Sequence, residues 1–244
     1  MKNQNKRMNA KRIGFFLLLV VALAAGNVFA HDKGDLMLNI EPQIGLLIPD
    51  ITIISGGVSL TDYYRGADEL EIGLHAGLLG TVHYYFFDFF GVNAGLGVNL
   101  NANNIIYSHS GDSITYAFTG AYFSIPFGFR FSLSAFTVGA GLMPSIPMVA
   151  DATATASGYS GYDADDGFKL DPYMGWYFDI GFDLSGIKGR KGGFGMQGRL
   201  HGPLSNPIAG TSTRGLQYKS FGYFGLSLVF QAAIELANLP IGRK

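Results

Sequence analysis

The chain contains no cysteine. That excludes a disulfide scaffold, thiolate metal sites, a cysteine nucleophile and the lipid-modified cysteine of a bacterial lipoprotein. Charge is scarce as well. Only 14% of the 244 residues are Asp, Glu, Lys or Arg, where soluble domains carry about 25%. The 17 basic and 18 acidic residues nearly cancel, so the bulk charge offers nothing to nucleic acid. Glycine (35), phenylalanine (20) and tyrosine (13) are present in excess. That aromatic content and a positive mean hydropathy exclude a disordered chain.

The first thirty residues have a separate character. Lys2, Lys6, Arg7, Lys11 and Arg12 precede an uninterrupted apolar stretch over 13–25, and the small-residue segment 26–30 ends at Ala30. Basic, apolar, then small is the order of a cleavable secretory signal. Thirteen apolar residues are too few to span a bilayer, which takes about 20 as a helix. Cleavage after Ala30 leaves 12 basic and 18 acidic residues in 31–244, a formal charge of −6.

The rest of the chain alternates apolar and polar residues with period two. From Phe90 to Asn103 the even positions are Phe, Val, Ala, Leu, Val, Leu and Ala, whereas the odd ones are only Gly and Asn. The run 168–184 behaves likewise. Such alternation places apolar groups on one face of a strand and does not fit a helix. The pattern predicts eight strands, near 36–49, 69–86, 90–103, 113–131, 135–148, 168–184, 193–204 and 216–231. The fourth changes phase between Tyr116, Phe118 and Tyr122 on even positions and Ile125, Phe127, Phe129 and Phe131 on odd ones. A bulge at Ser124-Ile125-Pro126 would reconcile the two. Long segments (50–68, 104–112, 149–167, 205–215) alternate with shorter ones (87–89, 132–134, 185–192), the rhythm of an up-and-down antiparallel barrel.

The polar face decides which side meets water. A soluble barrel carries Lys and Glu on its outer face. Here that face is Gly and Asn in the third strand, and twelve glycines fall on odd strand positions, which suits a confined interior with room in it. Tyr84, Phe86, Phe90, Phe136, Phe182 and Phe194 gather near the short turns. Tyr63, Tyr64, Tyr107, Tyr116 and Phe168 gather toward the long segments. Two aromatic girdles around an apolar band are features of a membrane-spanning barrel. A soluble lipocalin-like barrel is the first alternative. A helical membrane protein is the second, opposed by Pro144, Pro147, Gly139 and Gly141 within the uncharged stretch 131–150. On this reading Leu96 faces lipid and Asn99 faces the lumen.

The strand order and loop rhythm over 36–231 resemble the small eight-stranded outer-membrane barrels of the OmpX, OmpW and OmpA-domain kind. Tyr122-Phe-Ser-Ile-Pro-Phe-Gly-Phe-Arg130, followed by Val138-Gly-Ala-Gly-Leu142, resembles a strand–turn–strand pair of that group. The resemblance implies an outer-membrane location, contact with outer-membrane lipids, and a terminal aromatic residue that the barrel-assembly machinery reads. Phe230 fits that residue, although 14 residues follow it, which makes 232–244 a short C-terminal tail.

Catalytic and cofactor motifs are weak. Gly193-Phe-Gly-Met-Gln-Gly198 matches the GxGxxG string, yet alternates as a strand where the dinucleotide fingerprint opens a helix. His201, Ser205 and Asn206 form H-x-x-x-S-N. Lipid A deacylases of this class show a tighter H-x-S-N, and here Pro203 intervenes. Asp163-Ala-Asp-Asp-Gly167 places its glycine at position five, where a calcium loop needs position six. No enzyme activity, cofactor or metal is expected.

The remaining candidates face inward: Glu41, Glu71, His75, His83, Lys169, Asp171, Asp179, Arg199, His201 and Lys219. An eight-stranded barrel is just wide enough for its side chains to fill, so lumen charges must pair or meet water. Arg199 is expected to pair with an inward carboxylate. The expected function is a non-enzymatic outer-membrane barrel, acting as a narrow channel for small solutes or as a structural membrane protein. The alternative is a surface adhesin or ligand-binding barrel acting through 50–68 and 149–167.

Overall fold

A computed structural model describes residues 31–55, 58–59, 72–109, 112–157, 163–164, 169–186, 191–205, 208–209 and 216–239. Within these, the side chains of 49–59, 104–116, 118, 150–169, 186, 208–209 and 216–221 lie outside the description. The main strands are β1 (Asp35–Ser55), β2 (Gly73–Phe87), β3 (Phe90–His109), β4 (Asp112–Ser124) and β5 (Phe127–Leu133). They continue with β6 (Phe136–Ser157), β7 (Tyr173–Asp183), β8 (Gly192–Pro203) and β9 (Leu216–Asn238).

Apart from β4 and β5, which do not pair with each other, each strand pairs antiparallel with its neighbours in sequence, and β9 returns to β1 from Asp35↔Asn238 to Ser55↔Leu216. Strands β4 and β5 are two parts of one wall element, both lying between β3 and β6. The sheet therefore closes as a ring of eight. Among the described residues no helix is long and apolar enough to cross a membrane.

The barrel is apolar outside and polar inside. On β2, Leu74, Leu78 and Val82 are exposed, whereas His75, Thr81 and His83 are buried. On β3, Val92, Leu96, Val98 and Leu100 point out, while Asn99, Asn101 and Asn103 point in. The exposed face carries the aromatic cluster expected near the short turns: Phe90 packs on Phe131 at 4.9 Å and Phe136 on Phe182 at 6.1 Å between ring centroids. The aromatic residues expected toward the long segments (Tyr63, Tyr64, Tyr107, Tyr116, Phe168) lie outside the described side chains. An apolar exterior around a polar interior is the arrangement of a transmembrane barrel, because lipid solvates the outer side chains and the closed ladder satisfies the backbone.

The strands run further than the alternation predicts. Strand β1 extends to Ser55, β3 to His109, β6 to Ser157 and β9 to Asn238. Spanning the apolar layer takes only about 9–11 residues per strand. Strict alternation is imposed by lipid on one face, so the signal fades where a strand leaves the bilayer while its hydrogen-bonded ladder continues. Residues 232–238, expected to form part of a tail, pair with Asp35–Ile40 as the last rungs of β9. Phe230 accordingly lies within that strand, facing outward.

The fourth wall differs from expectation in its phase. The ladder does break at Ile125-Pro126, where the Pro126 carbonyl still accepts from the Gly95 N–H. Yet even positions face inward on both sides of the break, and Tyr122 is buried in the lumen beside Tyr173. The irregular residue is across the ladder: Ala121 pairs with Val149 and Tyr122 with Pro147, so Met148 is extra. Pro147, which has no N–H to give, sits where the ladder loses its register.

Leu96 is 60% exposed on the outer face. Replacement by Arg is expected to destabilise the barrel by about 2–4 kcal/mol if the residue lies near the bilayer midplane, read by urea titration in lipid vesicles. Leu96→Met should stay close to wild type.

Candidate functional site

The lumen is filled by polar side chains arranged in levels. At mid-height, Arg199 projects from β8 and is 3% exposed. Its Nε and Nη2 donate to the two carboxylate oxygens of Asp179 on β7, at 2.7 and 2.8 Å. Nη2 also donates to Glu41 on β1 at 3.0 Å, and Nη1 to Gln43 at 3.1 Å. The guanidinium lies 5.0 Å from the Tyr177 ring centroid. One planar cation with fixed donors thus ties three strands together. Glu41 also accepts from the Thr81 hydroxyl. Since that hydroxyl proton goes to the carboxylate, Thr81 Oγ1 accepts from His83 Nε2, 2.9 Å away.

A second cluster lies toward the short turns. Arg130 on β5 donates through Nη2 to Asp183 at 3.1 Å and through both Nη atoms to Gln231. Gln231 donates back to Asp183, which also accepts from the backbone and hydroxyl of Ser185. Beneath it the segment before β1 closes the mouth. His31 is 3% exposed and stacks on Tyr85 with ring centroids 3.8 Å apart. Its backbone N–H donates to the Asp88 carbonyl. Burial pushes the His31 imidazole down to about 3, opposed by the Asp183 carboxylate.

Toward the long segments the lumen holds Asn99 bonded to Gln43 and Ser124, His75 bonded to Asn101 and His201 bonded to Ser227. The His75 and His201 rings lie 4.5 Å apart. Tyr122, Tyr173 and Tyr223 fill the level above, with the Tyr173 and Tyr223 hydroxyls 2.8 Å apart.

Of the residues singled out from sequence, Glu41, His75, His83, Asp179, Arg199 and His201 are in this lumen. Asp171 is exposed, just ahead of β7 at the end where chain geometry no longer confines it. Glu71 lies outside the described residues, as do the side chains of Lys169 and Lys219. The alternation also pointed to partners left unnamed above. Asp183 shares parity with Asp179, and Arg130 alternates with the outward Phe127, Phe129 and Phe131. Gln231, the last residue of the expected strand 216–231, escaped notice because the lumen candidates were chosen by charge and its amide carries none.

Most inward glycines leave no open room. A Cβ at Gly141 would lie 2.7 Å from the Tyr177 ring, and one at Gly225 would lie within the His201 ring's contact distance. They admit large neighbours, so the lumen is packed. The GxGxxG string lies in β8, with Phe194 and Met196 exposed on the outer face. Ser205 is exposed and accepts from the Met174 N–H, away from His201, and Asn206 is outside the described residues. The side chains of 163–167 are outside them too. Among the described residues no three His, Asp or Glu side chains converge as a metal site.

Inverted polarity and ring closure decide the architecture. The chain is a transmembrane eight-stranded β-barrel. No protein-family model and no curated protein matches it. Similar solved structures include the outer membrane protein OprG of Pseudomonas aeruginosa, at 14% identity, covering 85% of this chain and 99% of that one, with a TM-score of 0.43. The outer membrane protein AlkL is 14% identical, with 85% and 93% coverage and a TM-score of 0.37. Ail, the attachment invasion locus protein of Yersinia pestis, solved with the heparin analogue sucrose octasulfate, is 10% identical, with 80% and 98% coverage and a TM-score of 0.31.

Arg199→Ala strands two buried carboxylates and should cost about 3–5 kcal/mol in a urea titration in vesicles. Arg199→Lys should recover only part of that, because a point charge cannot grip Asp179 with two bonds. A separate expectation concerns acid. Below the ordinary histidine value the unfolded chain binds a proton that folded His31 refuses, so stability falls as pH drops from about 6.5 toward 3. His31→Phe keeps the stack on Tyr85 and should lose less stability between neutral pH and about pH 4.5.

Proposed function

We propose that the protein is a non-enzymatic outer-membrane barrel whose lumen is a narrow, gated path for small solutes, closed at rest by the Arg199 cluster. The observation that carries this reading is the single guanidinium held by Asp179, Glu41 and Gln43 across the middle of the lumen. The plug is a stack of side-chain levels with the Arg199 cluster at its middle, and it opens by exchanging hydrogen bonds, without unfolding the wall. The export signal over 1–30 and the inside-out barrel support residence in the outer membrane, with the apolar exterior against lipid. Strand β9, carrying Phe230, is the segment that barrel-assembly machinery would read.

Planar-bilayer recordings test the gate. Wild type should show rare, small openings. Arg199→Ala should open for longer and leak cations in preference to anions, since Glu41 and Asp179 remain in the constriction. Unchanged conductance in a correctly folded variant would overturn the gate. The rival surface-binding reading, through 50–68 and 149–167, expects deletions beyond the strand ends at Ser55 and Ser157 to abolish adhesion and leave conductance as it was.

A further inference from the structure

Between the two ionic clusters lies a cavity of about 10 Å³, lined among others by Glu41, His83, Arg130, Gly139, Tyr177 and Asp179. That is about the volume that holds one water molecule. Two of its lining side chains carry a buried polar atom without a partner among the described residues: Arg130 Nε and His83 Nδ1. Both residues are 5% exposed or less. Their chemistry is opposite. The guanidinium Nε can only donate. His83 uses its Nε2 proton on Thr81, which leaves Nδ1 of the neutral ring as a bare lone pair.

We propose that this cavity is a binding site for a single ordered water, which accepts from Arg130 Nε–H and donates to His83 Nδ1. Its second proton has the carboxylates of Asp179 and Glu41 to turn to. An anion would satisfy Arg130 but would meet both carboxylates and a lone pair. A metal cation would meet the guanidinium. Only a small neutral molecule that donates and accepts fits both walls. With it in place, the Arg199 and Arg130 clusters become one network from Asn99 to Gln231. The site does not depend on whether the lumen conducts.

Gly139 supplies the test. It lines the cavity, and an added Cβ there would meet Phe129 O at 3.4 Å, Asp179 Cβ at 3.7 Å and Asp179 Oδ2 at 3.9 Å. These are ordinary contacts, so Gly139→Ala puts a methyl into the space without collision. In a dry cavity that methyl adds packing, and the loss of glycine also stiffens the unfolded chain, so the variant gains stability. In a wet one it expels the water, strands two polar atoms and loses stability. We expect a lower urea midpoint for Gly139→Ala in lipid vesicles. Gly139→Ser should lie above it, because the hydroxyl can stand in for the water. Retained heat-dependent gel migration will show that both variants fold. In parallel, solid-state NMR of the wild-type protein in bilayers should show magnetisation transfer from water to Arg130 Nε and an unprotonated His83 Nδ1. A higher midpoint for Gly139→Ala, or no transfer from water to Arg130 Nε, would overturn the proposal.

Discussion

A bilayer offers a polypeptide no hydrogen-bond partner, and every other feature of this barrel follows from that constraint. Each backbone N–H and C=O at membrane depth must be satisfied by the chain itself, which a sheet achieves only by closing. Closure turns one face of every strand to lipid and the other to a space a few side chains wide. The lipid face can then be any apolar residue. The inner face cannot, because eight strands leave no bulk water to solvate a stray charge.

The lumen answers that second demand with two guanidinium clusters stacked along the barrel. Arg199 donates four hydrogen bonds to two carboxylates and an amide; Arg130 is held by Asp183 and Gln231 with its Nε left over. Asp179 reaches Arg199 within the β7–β8 hairpin, 20 positions away, but other partners come from strands far apart in sequence. Glu41 and Arg199 are 158 positions apart, and Arg130 and Gln231 are 101 apart. Those long-range contacts exist only once the ring has closed, so that part of the polar core reports on the completed wall.

Much of the barrel was legible in the sequence because lipid writes a simple code. Leu96 and Asn99 were assigned to opposite faces by parity alone, and Glu41, Asp179 and Arg199 were recognised as lumen residues the same way. Which carboxylates share a level with Arg199 was not legible, because shear sets the register and leaves no trace in one strand's pattern. Tyr122 misled for a related reason. An aromatic ring on an alternating strand reads as lipid-facing, yet a lumen can take a tyrosine where a glycine lies beneath its ring, as Gly120 does on the same strand. Residues 216–238 show the remaining gap: alternation marks where a strand touches lipid, and β9 extends beyond that.

The longest seam in the wall joins the first strand to the last. Strand β1 pairs with β9 along its whole length, from Asp35↔Asn238 to Ser55↔Leu216. In an order set by synthesis, β1 is complete with one edge unpaired and waits for nearly the whole chain before its partner arrives. Until then that edge is a row of open donors and acceptors, able to pair with another copy or with the wrong strand. Loop-closure entropy and long sequence separation make this the slowest pairing in the molecule. A chaperone that covers the β1 edge during transit would therefore raise the yield of folded barrel more than one acting on any single hairpin.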